Sequence, residues 1–145
     1  MSGSITITCK IDTTDAAVPL GFEAWIDDEL AFATDHVTGA QTLSLAVADD
    51  EAEHQLRFVL KNKDPAHTTL DAAGNIVTDA CVTVQDVCFD SIPLRQVFFD
   101  KATYSHDFNG TADPVQQRFY GIMGCNGTVE LGFSTPIYLW LLEHM

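Results

Sequence analysis

The stretch LGFEAWIDDEL, residues 20–30, decides the fold. Leu20, Phe22, Ala24 and Ile26 alternate with Gly21, Glu23 and Trp25. Side chains on a strand point to opposite faces in turn, so this period of two predicts a half-buried strand. Asp27-Asp28 then stands between Trp25-Ile26 and Glu29-Leu30, which predicts a hairpin turn. The same period recurs outward along the chain. Leu43, Leu45 and Val47 carry it, as do Leu56, Phe58 and Leu60, then Val82 and Val84, then Val129, Leu131 and Phe133. Turn signals separate these runs: Thr38-Gly39, Asp49-Asp50, Asp64-Pro65, Gly74-Asn75, Asp90-Ser91, Asn109-Gly110 and Asn126-Gly127.

Many short strands with regular turns predict an all-β chain, an antiparallel β-sandwich of jelly-roll type, built as one domain over residues 1–145. The final stretch TPIYLWLLEHM is apolar at both parities. It reads as a strand buried on both faces, either a covered central strand or one whose outer face meets another subunit. Ile137, Tyr138, Leu139, Trp140 and Leu141 are the candidate interface residues, or the core beneath it.

Charge excludes several partners. Seven Lys and Arg stand against 21 Asp and Glu, a net charge of −14, so a dominant basic face for nucleic acid or an anionic membrane is not expected. Hydrophobic residues make up 46% of the chain, too many for a solvated coil. No signal-peptide pattern opens the sequence, and no apolar run reaches the roughly 18 residues of a membrane span. Synthesis in a cytoplasm is therefore expected. Cys9, Cys81, Cys88 and Cys125 form no CxxC pair, and free thiols are expected.

No catalytic residue is assigned, and the chain is not expected to be an enzyme. Ser105-His106-Asp107 puts three triad residue types side by side, but strand neighbours face opposite ways. No GxSxG, HExxH, phosphate-loop or GxGxxG motif occurs. The five histidines show no metal-ligand spacing. Calcium is the one cofactor considered, because it takes six to eight oxygens from loop side chains and carbonyls. The loop from Lys61 to Asn75 offers Asn62, Asp64, Asp71 and Asn75, which serve equally as turn caps. Trp25 and Tyr104 are candidate platforms for a sugar ring, and core packing is the other reading of each.

Two resemblances follow. LGFEAWIDDELAFATDHVTG, QTLSLAVADDEAEHQLRFVLKNKD and DACVTVQDVCFDSIPL resemble the β-sandwich of calcium-dependent, xylan-binding carbohydrate-binding modules. That likeness implies a calcium-dependent glycan-binding module recognising host-surface polysaccharide, with Asn62 and Asp64 near a calcium loop. Lys63 interrupts the contiguous Asn-Asp of that family. YSHDFNGT and RFYGIMGCNGTVELGFSTPIYLWLLEHM resemble small virion-associated proteins of myovirus-type phages of marine cyanobacteria. That likeness implies a non-catalytic capsid-decoration or tail accessory protein, located in the virion. It would self-associate or dock on other virion proteins through the apolar C-terminal strand.

Overall fold

The structure, a computed structural model, describes residues 4–63, 68–70, 72–73, 76–94, 96–106, 113–124 and 126–144. Among these the elements in chain order are β1 (Ser4–Thr13), β2 (Gly21–Ile26), β3 (Glu29–Thr34), β4 (Gln41–Ala48), β5 (Glu53–Lys61), β6 (Thr68–Leu70), β7 (Ile76–Asp79), β8 (Val82–Phe89), β9 (Ile92–Pro93), α1 (Gln96–Lys101), β10 (Thr103–His106), β11 (Val115–Arg118), β12 (Ile122–Met123), β13 (Gly127–Ser134) and α2 (Ile137–His144). The chain crosses repeatedly between two antiparallel sheets. One runs β12-β8-β1-β4, with β9 also on β8; the other runs β11-β10-β13-β5-β2-β3. The expected β-sandwich is the observed architecture.

Period two builds the interior. Ile5, Ile7, Cys9 and Ile11 of β1 and Leu43, Leu45 and Val47 of β4 are buried on the inner face of one sheet. Phe22 and Ala24, Leu56, Phe58 and Leu60, and Val129, Leu131 and Phe133 are buried on the other. Removing this apolar surface from water is the main stabilising term. Aromatic contacts tie neighbouring strands and the two layers: Phe22 stacks on Phe58 within the six-stranded sheet at 5.6 Å, and Phe89 meets Phe133 of the facing sheet edge-on at 4.8 Å. Cys9 and Cys81 are buried and Cys88 half-buried, all three as free thiols. Burial, then the neighbouring Cys88, pushes the Cys9 thiol up to about 12.

Turn chemistry sets the registers. Ile26 pairs with Glu29 across Asp27-Asp28, and Phe89 with Ile92 across Asp90-Ser91. Asp27, Asp90 and Ser91 adopt φ of 54°, 54° and 69°. Two-residue hairpins need this left-handed backbone because it matches the strand twist, and Asp tolerates it better than most residues. Asn126-Gly127 is not a hairpin turn. Asn126 instead brackets Lys63, accepting from its N–H at 2.8 Å and donating to its C=O at 2.7 Å, while Gly127 begins β13.

The C-terminal strand expected over 137–142 is a helix. Ile137, Trp140 and Leu141 are buried, the spacing of one helical face, whereas Tyr138, Leu139 and Leu142 are exposed. A run apolar at both parities fits a helix as well as a two-sided strand. Pro136 decides between them. Its carbonyl accepts from the N–H groups of Leu139 and Trp140, opening the helix, and Leu-rich sequence continues it. Of the candidate interface residues, Ile137, Trp140 and Leu141 therefore belong to the core, and Tyr138 and Leu139 face outward. Tyr138 Oη donates to Asp90 Oδ2 at 2.7 Å, pinning α2 to the β8–β9 turn.

Candidate functional site

The outer face of the six-stranded sheet mixes polar side chains with Trp25, Val59 and, opposite Trp25, the exposed Leu30. Because Phe22 and Ala24 face inward, Glu23 and Trp25 face outward. By the same alternation Gln55, Arg57, Val59 and Lys61 of β5, and Thr128, Glu130 and Gly132 of β13, line that face, all half-buried or exposed. Register places Trp25 opposite Arg57, Arg57 opposite Glu130 and Glu130 opposite Thr103, one row across four strands. A Cβ added at Gly132 would meet nothing within 4 Å, which leaves a dip in the surface opposite Gln55.

Hydrogen bonds hold this row in place. Trp25 Nε1 donates to Glu23 Oε1 at 3.1 Å, and Lys61 Nζ donates to Glu23 Oε2 at 2.8 Å. The Lys61 and Trp25 hydrogen bonds together hold the Glu23 carboxyl below its ordinary range, so it stays an acceptor. Gln55 Nε2 donates to Glu130 Oε2 at 3.2 Å. Arg57 Nη2 donates to the Asp27 carbonyl at 2.6 Å and to Asp28 Oδ1 at 3.3 Å. Its Nε is buried with no hydrogen-bond partner among the described residues.

At one end of the sandwich, on the side of β5 opposite to Trp25 and Arg57, three turn-region residues converge. His54 Nδ1 lies 2.8 Å from Asp27 Oδ2, and its Nε2 lies 2.8 Å from Asp50 Oδ1. The acidic residues Asp27 and Asp50, which belong to two separate turns, are thus joined through one imidazole. The Asp28 carboxylate is open to solvent. A cleft of about 400 Å³ lined by Ile26, Asp27, Asp28, Glu29, Asp50 and His54 opens on one side. Another of about 350 Å³, lined by Glu53, His54, Phe133, Trp140, Glu143 and His144, opens on the other. A separate groove of about 440 Å³ follows β8 between Val84 and Val87 and reaches Phe98 and Phe99 of α1.

The remaining expected site residues fall elsewhere. Tyr104 is 4% exposed and packs edge-on against Phe119 at 5.8 Å, so its ring is core and presents no platform. Strand parity could not say which side of β10 faced inward. Ser105 and His106 sit on opposite faces of β10, and Asp107 lies outside the described residues. Asn62 is exposed with φ 66°, while Asp64, Asp71 and Asn75 lie outside the described residues. Beside Asn62, Lys63 is buried and its Nζ donates to the Ala80 carbonyl, so a cation already takes an oxygen at the base of that loop. No group of three or more His, Cys, Asp or Glu among the described residues is arranged to hold a metal ion. The described part of the loop does not by itself make up a calcium shell.

Two solved structures match this sandwich. One is a selenomethionine form of vCBM60, from work on a circular permutation linking two families of calcium-dependent carbohydrate-binding modules. It aligns at TM-score 0.56 and 10% identity over 88% of this chain and 90% of its own. The other is vCBM60 in complex with galactobiose, at TM-score 0.54 and 12% identity over 88% of this chain and 97% of its own. This chain shares the β-sandwich fold of those two structures. The likeness concerns fold alone, and the resemblance to phage virion proteins gains no support from it. No protein-family model and no curated protein matches the chain.

Proposed function

We propose that this protein is a non-catalytic carbohydrate-binding module whose Trp25 face takes up a polysaccharide. One observation carries the reading: an outward indole, fixed by Glu23, shares a row with Arg57 and Glu130 on a sheet face that also carries Leu30 and Val59. A sugar ring has an apolar C–H face and a polar edge. The indole offers the flat apolar surface, and Arg57, Gln55 and Glu130 offer donors and acceptors for hydroxyl groups. The fold match to a module solved with galactobiose supports the same reading. Calcium enters as a dependence to be measured, with Asn62, Asp64, Asp71 and Asn75 as the loop oxygens that would supply it. Host-surface polysaccharide remains the proposed glycan source.

The test is binding to a panel of polysaccharides by affinity electrophoresis, with titration calorimetry on those that bind. Trp25→Ala should weaken binding about tenfold or more, the scale of a central aromatic anchor. Gln85→Ala, in the β8 groove, should leave it unchanged. A chelator separates the two parts of the proposal. Binding retained without calcium removes the metal and leaves the sugar reading standing.

A second reading rests on α2. Tyr138, Leu139 and Leu142 are 53%, 58% and 71% exposed on one short helix. They could seat a second copy or a virion partner. Sedimentation that shows a concentration-dependent dimer abolished by Leu139→Lys supports that reading. A monomer throughout the range excludes self-association.

A further inference from the structure

We propose that His54 is a proton-operated latch that holds the β2–β3 hairpin to the β4–β5 turn and thereby sets the pH range in which the Trp25 face is fully assembled. The consequence for ligand rests on the carbohydrate-binding reading; the latch itself does not. The His54 side chain is 8% exposed and lies against the Phe133 ring at 5.7 Å. Both of its nitrogens face carboxylate oxygens at 2.8 Å. A carboxylate only accepts, so both contacts are hydrogen bonds only when both nitrogens carry a proton. A neutral ring has one N–H, and its other nitrogen would point a lone pair at a carboxylate. One of the two links must then open.

The surroundings indicate which. Asp27 is tied to β5 independently of His54, its N–H donating to the Gln55 carbonyl at 2.8 Å and its Oδ1 accepting from Gln55 N–H at 2.9 Å. The ties of Asp50 among the described residues are longer, its carboxylate accepting from Ala52 N–H and the Thr135 hydroxyl and its own N–H donating to the Thr135 hydroxyl oxygen, each at 3.3 Å. The Asp50 link is therefore the one released, and the turn carrying it loosens from the hairpin. Coupling to the Trp25 face runs through Arg57. While His54 is charged, two cations serve Asp27, Asp28 and Asp50. Once it is neutral, Arg57, already bonded to the Asp27 carbonyl and Asp28 Oδ1, is the cation left among them on β5, and their field holds its guanidinium more tightly to the hairpin and away from a ligand on the sheet face. Glu29 and Glu53, together with Glu143 and His144 of α2, line the clefts on either side of His54, and the three carboxylates add to that field.

The direction of titration agrees. Burial alone would lower the His54 pKa, but the hydrogen bonds and charges of Asp27 and Asp50 outweigh it and hold it above the ordinary imidazole value. A raised histidine pKa gives stability that is complete below the unfolded value and is lost as pH rises through the folded one. The same bonds hold Asp27 and Asp50 below the ordinary carboxylate range, so acid disrupts the latch only once those carboxylates protonate.

The experiment has two arms. Without ligand, NMR titration of the His54 ring should give a pKa above about 6.5, reduced in Asp50→Asn. Amide exchange at Asp50 and Ala52 should quicken as pH passes that value, after correction for intrinsic exchange. Because His144 packs on Trp140 at 4.8 Å, His144→Gln serves as the control and should leave the His54 titration in place. With a bound polysaccharide, wild-type affinity should fall about fivefold between about pH 5.5 and 8.5, and His54→Gln should show no such step. A His54 pKa at or below the ordinary value overturns the latch whether or not any sugar binds. Identical affinity profiles for wild type and His54→Gln overturn the coupling, while the carbohydrate reading stands.

Discussion

Phe89→Ala should lower the free energy of unfolding by about 3–5 kcal/mol, the range for emptying a buried phenylalanine site. Phe89 is 0% exposed at the end of β8. Its ring meets Phe133 of the opposite sheet at 4.8 Å and Trp140 of α2 at 6.1 Å. Truncation therefore removes one contact between the sheets and one between sandwich and helix. The cavity cannot collapse easily, because Phe133 and Trp140 are held by β13 and α2 and also by each other at 6.4 Å. Urea unfolding should show a large drop in midpoint with the slope little changed. Near-ultraviolet circular dichroism should lose part of the Trp140 signal. A loss below about 1 kcal/mol would mean that α2 does not pack as described.

Gly127→Ala should cost about 1–3 kcal/mol through overpacking. A Cβ at Gly127 would stand 2.4 Å from the Ser105 carbonyl oxygen and 2.8 Å from His106 Cβ. Gly127 pairs directly with His106, so relief requires moving β10 away from β13. Gly132→Ala in the same strand is the matched control. Its Cβ would meet nothing within 4 Å, and removing a strand glycine's backbone freedom should make it neutral or slightly stabilising. Thermal unfolding of the pair separates crowding from glycine entropy. Equal shifts in both variants would contradict the β10–β13 register.

The residues that were legible in sequence are those whose local chemistry decides their structure. In residues 20–30, Phe22 and Ala24 are buried, Trp25 is outward, and Asp27 takes the left-handed turn position, all set by alternation and turn preference. The C-terminal helix was not legible by parity, because Ile137, Trp140 and Leu141 share a face only at helical spacing. Pro136 before that run was the overlooked signal. The His54 cluster was hidden for a different reason. Asp27 meets His54 through pairing of β2 with β5, a non-local contact that no spacing announces, whereas Asp50 and His54 stand four residues apart across a turn whose shape alternation does not specify. Asp27 and Asp50 read only as turn residues, and His54 as a histidine without metal-ligand spacing. Asp27 and Asp50 do keep 47% and 43% of their side chains exposed, so composition was right and connectivity was missing.

The central claim is that the Trp25 face binds carbohydrate, and calorimetric titration of wild type and Trp25→Ala with a panel-selected polysaccharide tests it most directly. Trp25 is only half-buried, so the variant should stay folded with a stability loss within about 1 kcal/mol. The account predicts saturable binding by wild type and affinity reduced about tenfold or more in the variant. Wild-type affinity in a folded Trp25→Ala, or no binding by wild type to any polysaccharide of a broad panel, would contradict it.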